Sequence, residues 1–330
     1  MMKRREVLAL GLAALSARAL MPQPAFSQGT YPDRPIRLIT PFPPGGAYDT
    51  IARPWADRIK PHLGTAVVEN IGGGGGSVGA AQATRARPDG YTILLGGATT
   101  HVTESLLKNR PQYDPLKDLE PISAIAITAF AITVHPSVPV QNLKELIAYA
   151  KANPGKLSYG SAGTGSLNHL TGELFKLRTE LRDLVHVPYR GAGPAIVDIL
   201  AGQIPMIVPA MTNHVLELHR SGKVRVLAVT HGTRLAAAPE LPTAVEQGLP
   251  DLVTPNFIGL YAPAGTPKPI IEQIAQANRA LLSDRSYRDL LVSGTFEPQP
   301  DLSGEAYRRY VEGEIARWRP VVQAIDLKID

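Results

Sequence analysis

The stretch from Pro41 to Thr50, PFPPGGAYDT, lies between a short apolar run and the start of a helical pattern. Its adjacent glycines, Gly45 and Gly46, let the backbone turn so that N–H groups face a cavity. The following helix would present the positive end of its dipole to the same place, and that end attracts anions. The stretch therefore indicates an anion-binding loop, unless it only starts its helix.

A second loop has the same chemistry. It is the run from Ser161 to Ser166, SAGTGS, which also lies between a predicted strand and a predicted helix. Open α/β sheets bind ligands at the carboxyl ends of their strands, where both loops would lie. Together the loops predict a site that clamps a carboxylate with backbone amides and hydroxyl groups, without an arginine. The alternative is that each loop merely caps its helix.

Patterns typical of catalysis are absent from the sequence. The run Gly160-Ser161-Ala162-Gly163 lacks the spacing of a G-x-S-x-G nucleophile elbow, and no H-E-x-x-H pair occurs. His169 and Glu173 lie four residues apart on a predicted helix, but two ligands make a poor metal site, so a surface or core pair is favoured. We therefore predict no catalytic residue, no metal and no enzyme activity.

A dinucleotide fingerprint can be read in the glycine run, where Gly74, Gly76 and Gly79 have the G-x-G-x-x-G spacing. A nucleotide site also needs an acidic residue about 20 positions further on to bind the ribose. The segment from Leu94 to Thr99 contains no acid. A match within consecutive glycines is also partly automatic. We predict no cofactor and interpret the run as a flexible turn packed close to a neighbouring lobe.

The composition excludes further functions. The 330 residues include no cysteine, which rules out Cys nucleophiles, thiolate metal sites and iron-sulfur clusters. The net charge is +5, but basic residues are dispersed among acidic ones and no Lys/Arg run is interleaved with aromatic residues. Nucleic-acid binding is therefore not predicted.

The N-terminus has the features of a signal peptide over residues 1–27. Lys3, Arg4 and Arg5 precede the apolar run from Val7 to Leu15, and the small residues around Ser27 suit cleavage. The paired arginines are compatible with either Sec or twin-arginine (Tat) export. No other segment approaches the roughly 20 apolar residues that span a bilayer. The mature protein is expected in a bacterial periplasm or outside the cell.

Apolar strands alternate with helical patterns, which is the signature of an α/β fold with largely parallel sheets. Asn142 and Glu145 resemble a capping box, and Pro267 is expected at the first position of a later helix. Pro54 and Pro61 are expected to kink the first helix. The predicted strands are Ile36 to Ile39, Ala66 to Glu69, Tyr91 to Leu95 and Leu157 to Tyr159, and the predicted helices are Ala47 to Leu63, Ser77 to Arg87 and Leu143 to Ala152. A buried helical face is predicted from Tyr307, Tyr310, Val311, Ile315 and Trp318.

A family resemblance rests on motifs spread over the chain from Tyr31 to the C-terminus. In order and spacing, these motifs resemble those of the Bug or TctC-type solute-binding proteins of tripartite tricarboxylate transporters. They are PFPPGGAYD from Pro41, VEN from Val68, PDGYT from Pro88, YDP from Tyr113, YGSAG from Tyr159, HVPYRG from His186 and APAGTP from Ala262.

The resemblance implies a two-lobed periplasmic-binding-protein fold, type II-like, that closes on its ligand about a hinge of two crossover strands. One lobe would comprise residues 31–127 and 231–330, and the other residues 128–230. The ligand would be a small organic carboxylate, either a di- or tricarboxylate or an aromatic carboxylate. The partners would be the membrane permease subunits of a tripartite transporter, and the protein is expected to be a monomer.

The resemblance also implies which residues contact the ligand. Asp49 is expected to be architectural, because at a helix start it can accept N–H bonds and fix the loop. The implied contacts are Gly45, Gly46, Tyr48, Asp49, Ser161, Thr164 and Ser166, with Thr99, Thr100 and His101 close by and Thr212 and Asn213 at the distal end of the pocket.

Departures from the family pattern leave alternatives open. Tyr48 stands where the family usually has a small hydroxyl residue, so it would either stack on a flat carboxylate or fill and narrow the pocket. Arg190 would meet the ligand's far carboxylate or form an ion pair at the lobe surface or hinge. The competing functions are an exported sensory protein that signals to a membrane receptor, and an exported α/β enzyme that acts on an organic acid.

Overall fold

Residues 31–329 are described by the computed structural model. Residues 34–329 belong to one compact unit, and the preceding residues 31–33 have no regular secondary structure. The predicted signal peptide, residues 1–27, lies outside the described residues. Within residues 31–329 no helix combines the length and the apolar character that crossing a membrane requires.

The first sheet is mixed and takes its strands from both ends of the chain. These strands are β1 (Ile36–Thr40), β2 (Ala66–Asn70), β3 (Thr92–Gly97), β4 (Leu119–Thr128), β10 (Asn256–Pro263) and β11 (Glu297–Pro298). They lie in the order β11-β4-β10-β3-β1-β2. Strand β1 is parallel to β2 and β3, as helical crossovers require, whereas β10 is antiparallel to β3 and β4.

The second sheet takes all its strands from the middle of the chain. They are β5 (Ala131–Val134), β6 (Ser158–Ser161), β7 (Val185–Pro188), β8 (Met206–Ile207) and β9 (Arg225–Val229). Their order is β7-β6-β8-β5-β9. Strand β6 is parallel to β7 and β8, and β5 is antiparallel to β8 and β9. The loop after β6 therefore leaves this sheet at a carboxyl end, as the sequence predicts.

Helices connect the strands of both sheets. They are α1 (Ala47–Arg58), α2 (Lys60–Leu63), α3 (Ser77–Thr84), α4 (Glu104–Leu107), α5 (Leu143–Ala152), α6 (Leu167–Thr179), α7 (Ala192–Leu200), α8 (Asn213–Arg220), α9 (Lys268–Ser283), α10 (Arg285–Ser293) and α11 (Gly304–Ile325). A 3-10 turn (Gly74–Gly76) precedes α3, and a π-helical segment (Thr99–Thr103) precedes α4. Asn142 is confirmed as the N-cap of α5, since its side chain accepts from the Glu145 N–H at 2.9 Å. The Glu145 carboxylate accepts from the N–H of Gln141, the residue before the N-cap, at 2.7 Å, and not from that of Asn142 as in a standard capping box.

The first helical pattern forms two helices rather than the single helix predicted. The break falls at Ile59, and Pro61 occupies the first turn of α2, where its missing N–H costs nothing. Pro54 remains inside α1. A second correction concerns α9, which begins at Lys268, so that Pro267 is its N-cap and not its first helical residue. Helix α3 also ends at Thr84, before the predicted end at residue 87.

The chain passes between the two sheets at two neighbouring places, after β4 and after β9. Thr230 links them: its hydroxyl accepts from the Phe130 N–H at 3.1 Å, and its N–H donates to the Phe130 carbonyl at 2.8 Å. The Thr254 hydroxyl donates to that of Thr230 at 2.7 Å. The Thr128 hydroxyl lies 2.9 Å from the Met211 carbonyl oxygen. Side-chain hydroxyls therefore join the crossing segments, alongside backbone hydrogen bonds.

Each sheet has its own buried side chains. Helix α11 contributes to the core of the first sheet through Tyr307, Val311, Ile315 and Trp318, as predicted, whereas Tyr310 is only partly buried. Helices α7 and α8 contribute to a second core that includes Ile196, Ile199, Val215, Leu216 and Val226. Burial of each such side chain stabilises the fold by about 1.5–3 kcal/mol before the cost of ordering the chain is subtracted.

Candidate ligand-binding site

The loop before α1 is held in place by the carboxylate of Asp49. This carboxylate accepts hydrogen bonds from the Gly45 N–H at 3.2 Å, the Arg53 guanidinium at 3.0 Å and the Asn70 amide at 3.1 Å. Burial raises the pKa of Asp49, but the three donors outweigh burial and hold the pKa below its usual value. Asp49 is therefore an anion that positions the loop.

Helix α1 begins without a side-chain cap. Its N-cap is Gly46, in an extended conformation, and Gly45 before it takes φ of +91°, a region that favours glycine. No side chain therefore accepts from the first N–H groups of the helix. Gly46, Ala47 and Tyr48, at this helix end, all line a cavity. An uncapped helix start beside a cavity is an arrangement that binds anions.

The two serine hydroxyls of the second loop are used in bonds that shape the loop. The Ser161 hydroxyl lies 2.7 Å from Nε2 of His186 and accepts from the Gly163 N–H at 3.1 Å. The Ser166 hydroxyl donates to the Gly163 carbonyl at 2.7 Å and accepts from the His169 N–H at 3.3 Å, which caps α6. These two side chains give the loop its shape, whereas the loop backbone and the exposed side chain of Thr164 remain for a ligand.

The loops of the two sheets touch each other. The Leu167 N–H, at the start of α6, donates to the Thr99 hydroxyl at 3.2 Å. Gly75 approaches the second loop so closely that a Cβ there would lie 2.6 Å from the Thr164 carbonyl oxygen. Gly75 has φ of +67°, which also favours glycine. The glycine run thus packs against the opposite loop through bare backbone.

A small inner cavity lies between the two sheets. Its volume is about 30 Å³, and its lining residues are Phe42, Gly46, Ala47, Tyr48, Thr99, Phe130, Ala162, Asn168, Ala192, Ala210 and Asn256. The Tyr48 ring is 5% exposed and its centroid lies 5.0 Å from that of Phe42. A water needs at least about 10–15 Å³ of such space. The cavity therefore has room for two or three waters, and Tyr48 fills and narrows it.

A larger outer cleft of about 670 Å³ shares Phe42 and Ala162 with the inner cavity. Its other lining residues are Pro43, Pro44, Asn70, Gly72 to Gly76, Gly163, Thr164, Pro188, Tyr189 and Arg190. Arg190 is exposed and forms no ion pair with any residue of the described range 31–329. This arginine is therefore available to attract an anion into the cleft.

Only some of the residues predicted to contact the ligand line the inner cavity or the outer cleft. Gly46, Tyr48 and Thr99 line the inner cavity, and Thr164 lines the outer cleft. The residues that line neither space are Gly45, Asp49, Thr100, His101, Ser161, Ser166, Thr212 and Asn213. Some of these have structural bonds: the Thr100 hydroxyl accepts from the Gly97 N–H at 2.9 Å, and Thr212 caps α8.

Eight residues line the inner cavity without having been singled out as ligand contacts. Two of them, Ala47 and Ala162, belong to the two predicted loops, and the others are Phe42, Phe130, Asn168, Ala192, Ala210 and Asn256. Phe42 lies inside the PFPPGG motif and was within reach of sequence reasoning. Asn256 is a polar residue that opens an otherwise apolar strand, which is a weak signal for a site. The remaining four come from distant segments, and nothing in their local sequence indicates that they converge.

Three histidines near the loops are neutral: His101 and His169 are buried, and His186 is partly buried. His169 stacks on His186 with ring centroids 3.7 Å apart, and its Nδ1 accepts from the Gly165 N–H at 3.2 Å. His101 stacks on Tyr261 at 4.0 Å. Burial lowers the pKa of His101 and of His186 to about 3 and that of His169 to about 4.

The residue pair His169 and Glu173 does not form part of a metal site. Nε2 of His169 lies 3.9 Å from Glu173, which instead accepts hydrogen bonds from Tyr159 at 2.7 Å and Lys176 at 3.1 Å. No group of three or more acidic, histidine or cysteine side chains with the geometry of a metal centre occurs within residues 31–329. The pair belongs to a buried polar cluster behind the second loop.

Comparison with known proteins agrees with this architecture. Protein BugT of Bordetella pertussis is 36% identical over 309 residues, which cover 92% of this chain and 93% of BugT. The structure of the periplasmic binding protein BugD superimposes with a TM-score of 0.86 at 33% identity and covers 90% of this chain and 99% of BugD. A protein of R. palustris in complex with adipate gives the same score, identity and coverage.

These similarities confirm the predicted fold class, an α/β two-lobed periplasmic-binding-protein fold. The model of the tripartite tricarboxylate transporter family receptor, TctC, matches residues 51–327, which is most of the chain. Proteins of this family bind solutes in the periplasm, and solved examples hold carboxylates. The chain therefore belongs to the TctC family, the Bug-type solute-binding proteins of tripartite tricarboxylate transporters.

Proposed function

We propose that this protein captures a small organic carboxylate between its two lobes in the periplasm and delivers it to the membrane permease of a tripartite transporter. The observation that carries the proposal is the uncapped start of α1, which lines a cavity closed from the opposite side by the second loop. One lobe would comprise residues 31–127 and 231–330, and the other residues 128–230, with a monomer as the working unit.

Within the site we propose a direct role for the backbone of Gly46 and for Thr99 and Tyr48, which line the inner cavity. The N–H groups at the start of α1 would bind the carboxylate, because they have no side-chain acceptor of their own. Asp49 keeps that loop in shape. Ligand contact by Gly45, Thr100, His101, Ser161, Thr164, Ser166, Thr212 and Asn213 stays a prediction.

The proposed mechanism is reversible capture. In the open form the loop amides are hydrated, and a carboxylate replaces that water. Contacts with both lobes then shift the population toward the closed form. No bond is made or broken: although Ser161 and His186 are in contact, the serine is 2% exposed and its hydroxyl also bonds Gly163. Catalysis would appear as turnover of a bound acid, which mass spectrometry would detect.

The first test is thermal unfolding of the mature chain against mono-, di- and tricarboxylates, aromatic carboxylates, amino acids and neutral sugars. A ligand present at 100 times its dissociation constant should stabilise the folded state by about 2.7 kcal/mol. We expect a shift of the midpoint with one or more carboxylates and none with sugars. A panel in which no acid raises the midpoint, or in which only sugars do, would contradict the proposal.

Arg190 is predicted to speed capture rather than to tighten the closed complex. In the Arg190→Gln variant the association rate at low salt should fall about three- to tenfold, with a weaker salt dependence and an unchanged dissociation rate. Stopped-flow measurements with the best carboxylate of the thermal panel would test this. Lys156→Gln removes an equally exposed charge outside the cleft and is the control. Equal rates in both variants would refute the role of Arg190.

A further inference from the structure

Two buried polar atoms at the inner cavity have no hydrogen-bond partner: the Tyr48 hydroxyl and Oδ1 of Asn256. The residues are 5% and 2% exposed, so water does not reach them from outside. The Tyr48 hydroxyl lies near Thr99, but the contact lacks the geometry of a hydrogen bond. Both residues line the same small cavity, Tyr48 from the start of α1 and Asn256 from the start of β10.

Buried polar atoms without a hydrogen-bond partner lower the stability of the folded protein unless a ligand binds to them. Leaving a buried donor or acceptor unpaired destabilises a protein by about 1–3 kcal/mol. Other unpaired buried atoms in the described residues, such as the Tyr287 hydroxyl, lie away from both ligand spaces. At the inner cavity, therefore, the unpaired atoms coincide with the place where a solute would be enclosed.

The residues that line the inner cavity limit which ligand group can form hydrogen bonds with the Tyr48 hydroxyl and Asn256 Oδ1. A side-chain amide oxygen accepts a hydrogen bond and so requires a donor, whereas a phenol can donate or accept. No side chain that lines the inner cavity is charged, so a buried ammonium group would have no counter-ion there. Asn168 does not compete for the same donor, since its amide donates to the Val208 carbonyl at 2.8 Å. A neutral hydroxyl group fits both atoms.

We infer that the solute carries, next to the carboxylate bound by α1, a hydroxyl group that donates to Asn256 Oδ1 and pairs with the Tyr48 hydroxyl. The solute class is thus a small hydroxy acid, such as a 2-hydroxy carboxylate, rather than its deoxy counterpart. This inference rests on the proposed carboxylate-binding function and adds to it the second group that selects the solute.

Calorimetric titration of the mature protein with two matched pairs tests the inference: lactate with propionate, and 2-hydroxyglutarate with glutarate. In at least one pair the hydroxy acid should bind about tenfold more tightly than the deoxy acid, the effect of one hydrogen bond to an otherwise unpaired buried group. Equal affinities within both pairs would overturn the inference while leaving the proposed function intact. Failure of all four acids to bind, while a carboxylate without a hydroxyl group shifts the midpoint in the thermal panel, would also overturn the inference and leave the proposed function intact.

Three variants locate the effect. Asn256→Leu should lose the preference for the hydroxy acid, through weaker binding of that acid, and should unfold at the same or a higher temperature because an unpaired polar atom has been removed. Tyr48→Phe, which keeps the ring, should reduce the preference in the same direction. Tyr287→Phe removes an unpaired buried hydroxyl outside the ligand spaces and should keep the tenfold ratio. A preference that survives in both Asn256→Leu and Tyr48→Phe would refute the assignment.

Discussion

Replacing Gly75 by alanine should weaken carboxylate binding about 10- to 100-fold while leaving the protein folded. The new Cβ would lie 2.6 Å from the Thr164 carbonyl oxygen and 3.0 Å from the Ser166 nitrogen, which are backbone atoms of the second loop. Overpacking of this kind costs about 1–3 kcal/mol, and 1.4 kcal/mol corresponds to a tenfold change in affinity. We expect the cost to fall on the closed form of the proposed mechanism, in which the two loops meet as they do in this structure.

Gly74→Ala is the matched control for this variant. Gly74 also has a positive φ, of +57°, so both variants carry the backbone strain of about 1–2 kcal/mol. A Cβ at Gly74, however, would lie 3.6 Å from Ser77 and meet no atom of the second loop. Titration with the best acid of the thermal panel should therefore show weak binding for Gly75→Ala and nearly normal binding for Gly74→Ala. Equal losses in the two variants would mean that strain alone, and not the contact between lobes, is responsible.

Lowering the pH from 7.5 to 5.0 should reduce the free energy of unfolding by about 3–5 kcal/mol. The pKa of His101 is about 3 and that of His169 about 4 in the folded protein, against about 6.5 for an unperturbed histidine. The unfolded chain therefore binds more protons below pH 6.5, and stability falls as the pH decreases toward the folded pKa values. By this linkage, each of these two residues lowers the free energy of unfolding by about 2 kcal/mol at pH 5. The pKa of His186 is lowered as far, but this ring is only partly buried, and screening by solvent makes its contribution smaller than that shift alone would give.

Denaturant unfolding at pH 7.5, 6.0 and 5.0 measures this effect. The window lies above the pH at which Asp49 and the other carboxylates of lowered pKa are protonated, so the histidines dominate it. His186→Gln should make stability less dependent on pH, whereas His62→Gln, at an exposed position, should not. A free energy that stays constant from pH 7.5 to 5.0 would show that the three rings are not held neutral by burial.

Local sequence patterns predicted much of the fold, and the reasons are physical. Alternation of short apolar runs with amphipathic segments identifies the strands and helices, and Asn142 with Glu145 locates the start of α5 to the residue. The break at Ile59 lies between Pro54 and Pro61, where kinks were predicted, but the helical pattern alone did not show that the chain forms two separate helices there. The boundaries of helices and strands therefore could not be predicted from hydrophobic periodicity alone.

The candidate site was only half predictable. Its glycine-rich loops can be read from sequence because unusual backbone geometry requires unusual composition. Asn256, Phe130 and Ala210 come from segments far apart in the chain and meet in the cavity only after both sheets have formed. Tyr48 was recognised as an unusual residue, but the sequence could not decide whether its ring stacks on a ligand or narrows the pocket. That choice depends on the space around the ring, which is small in this structure.

The hydrogen bonds of the hydroxyl groups between the two crossing segments would affect how the proposed permease recognises this protein. Thr230, on the second crossing, is hydrogen-bonded both to Phe130 on the first crossing and to Thr254. We expect these bonds to make the two segments twist together, as one hinge. We therefore expect different solutes to produce the same closed outline and to differ only in how long it persists. The permease would then respond to how long the closed form lasts, rather than to differences in shape between complexes with different solutes.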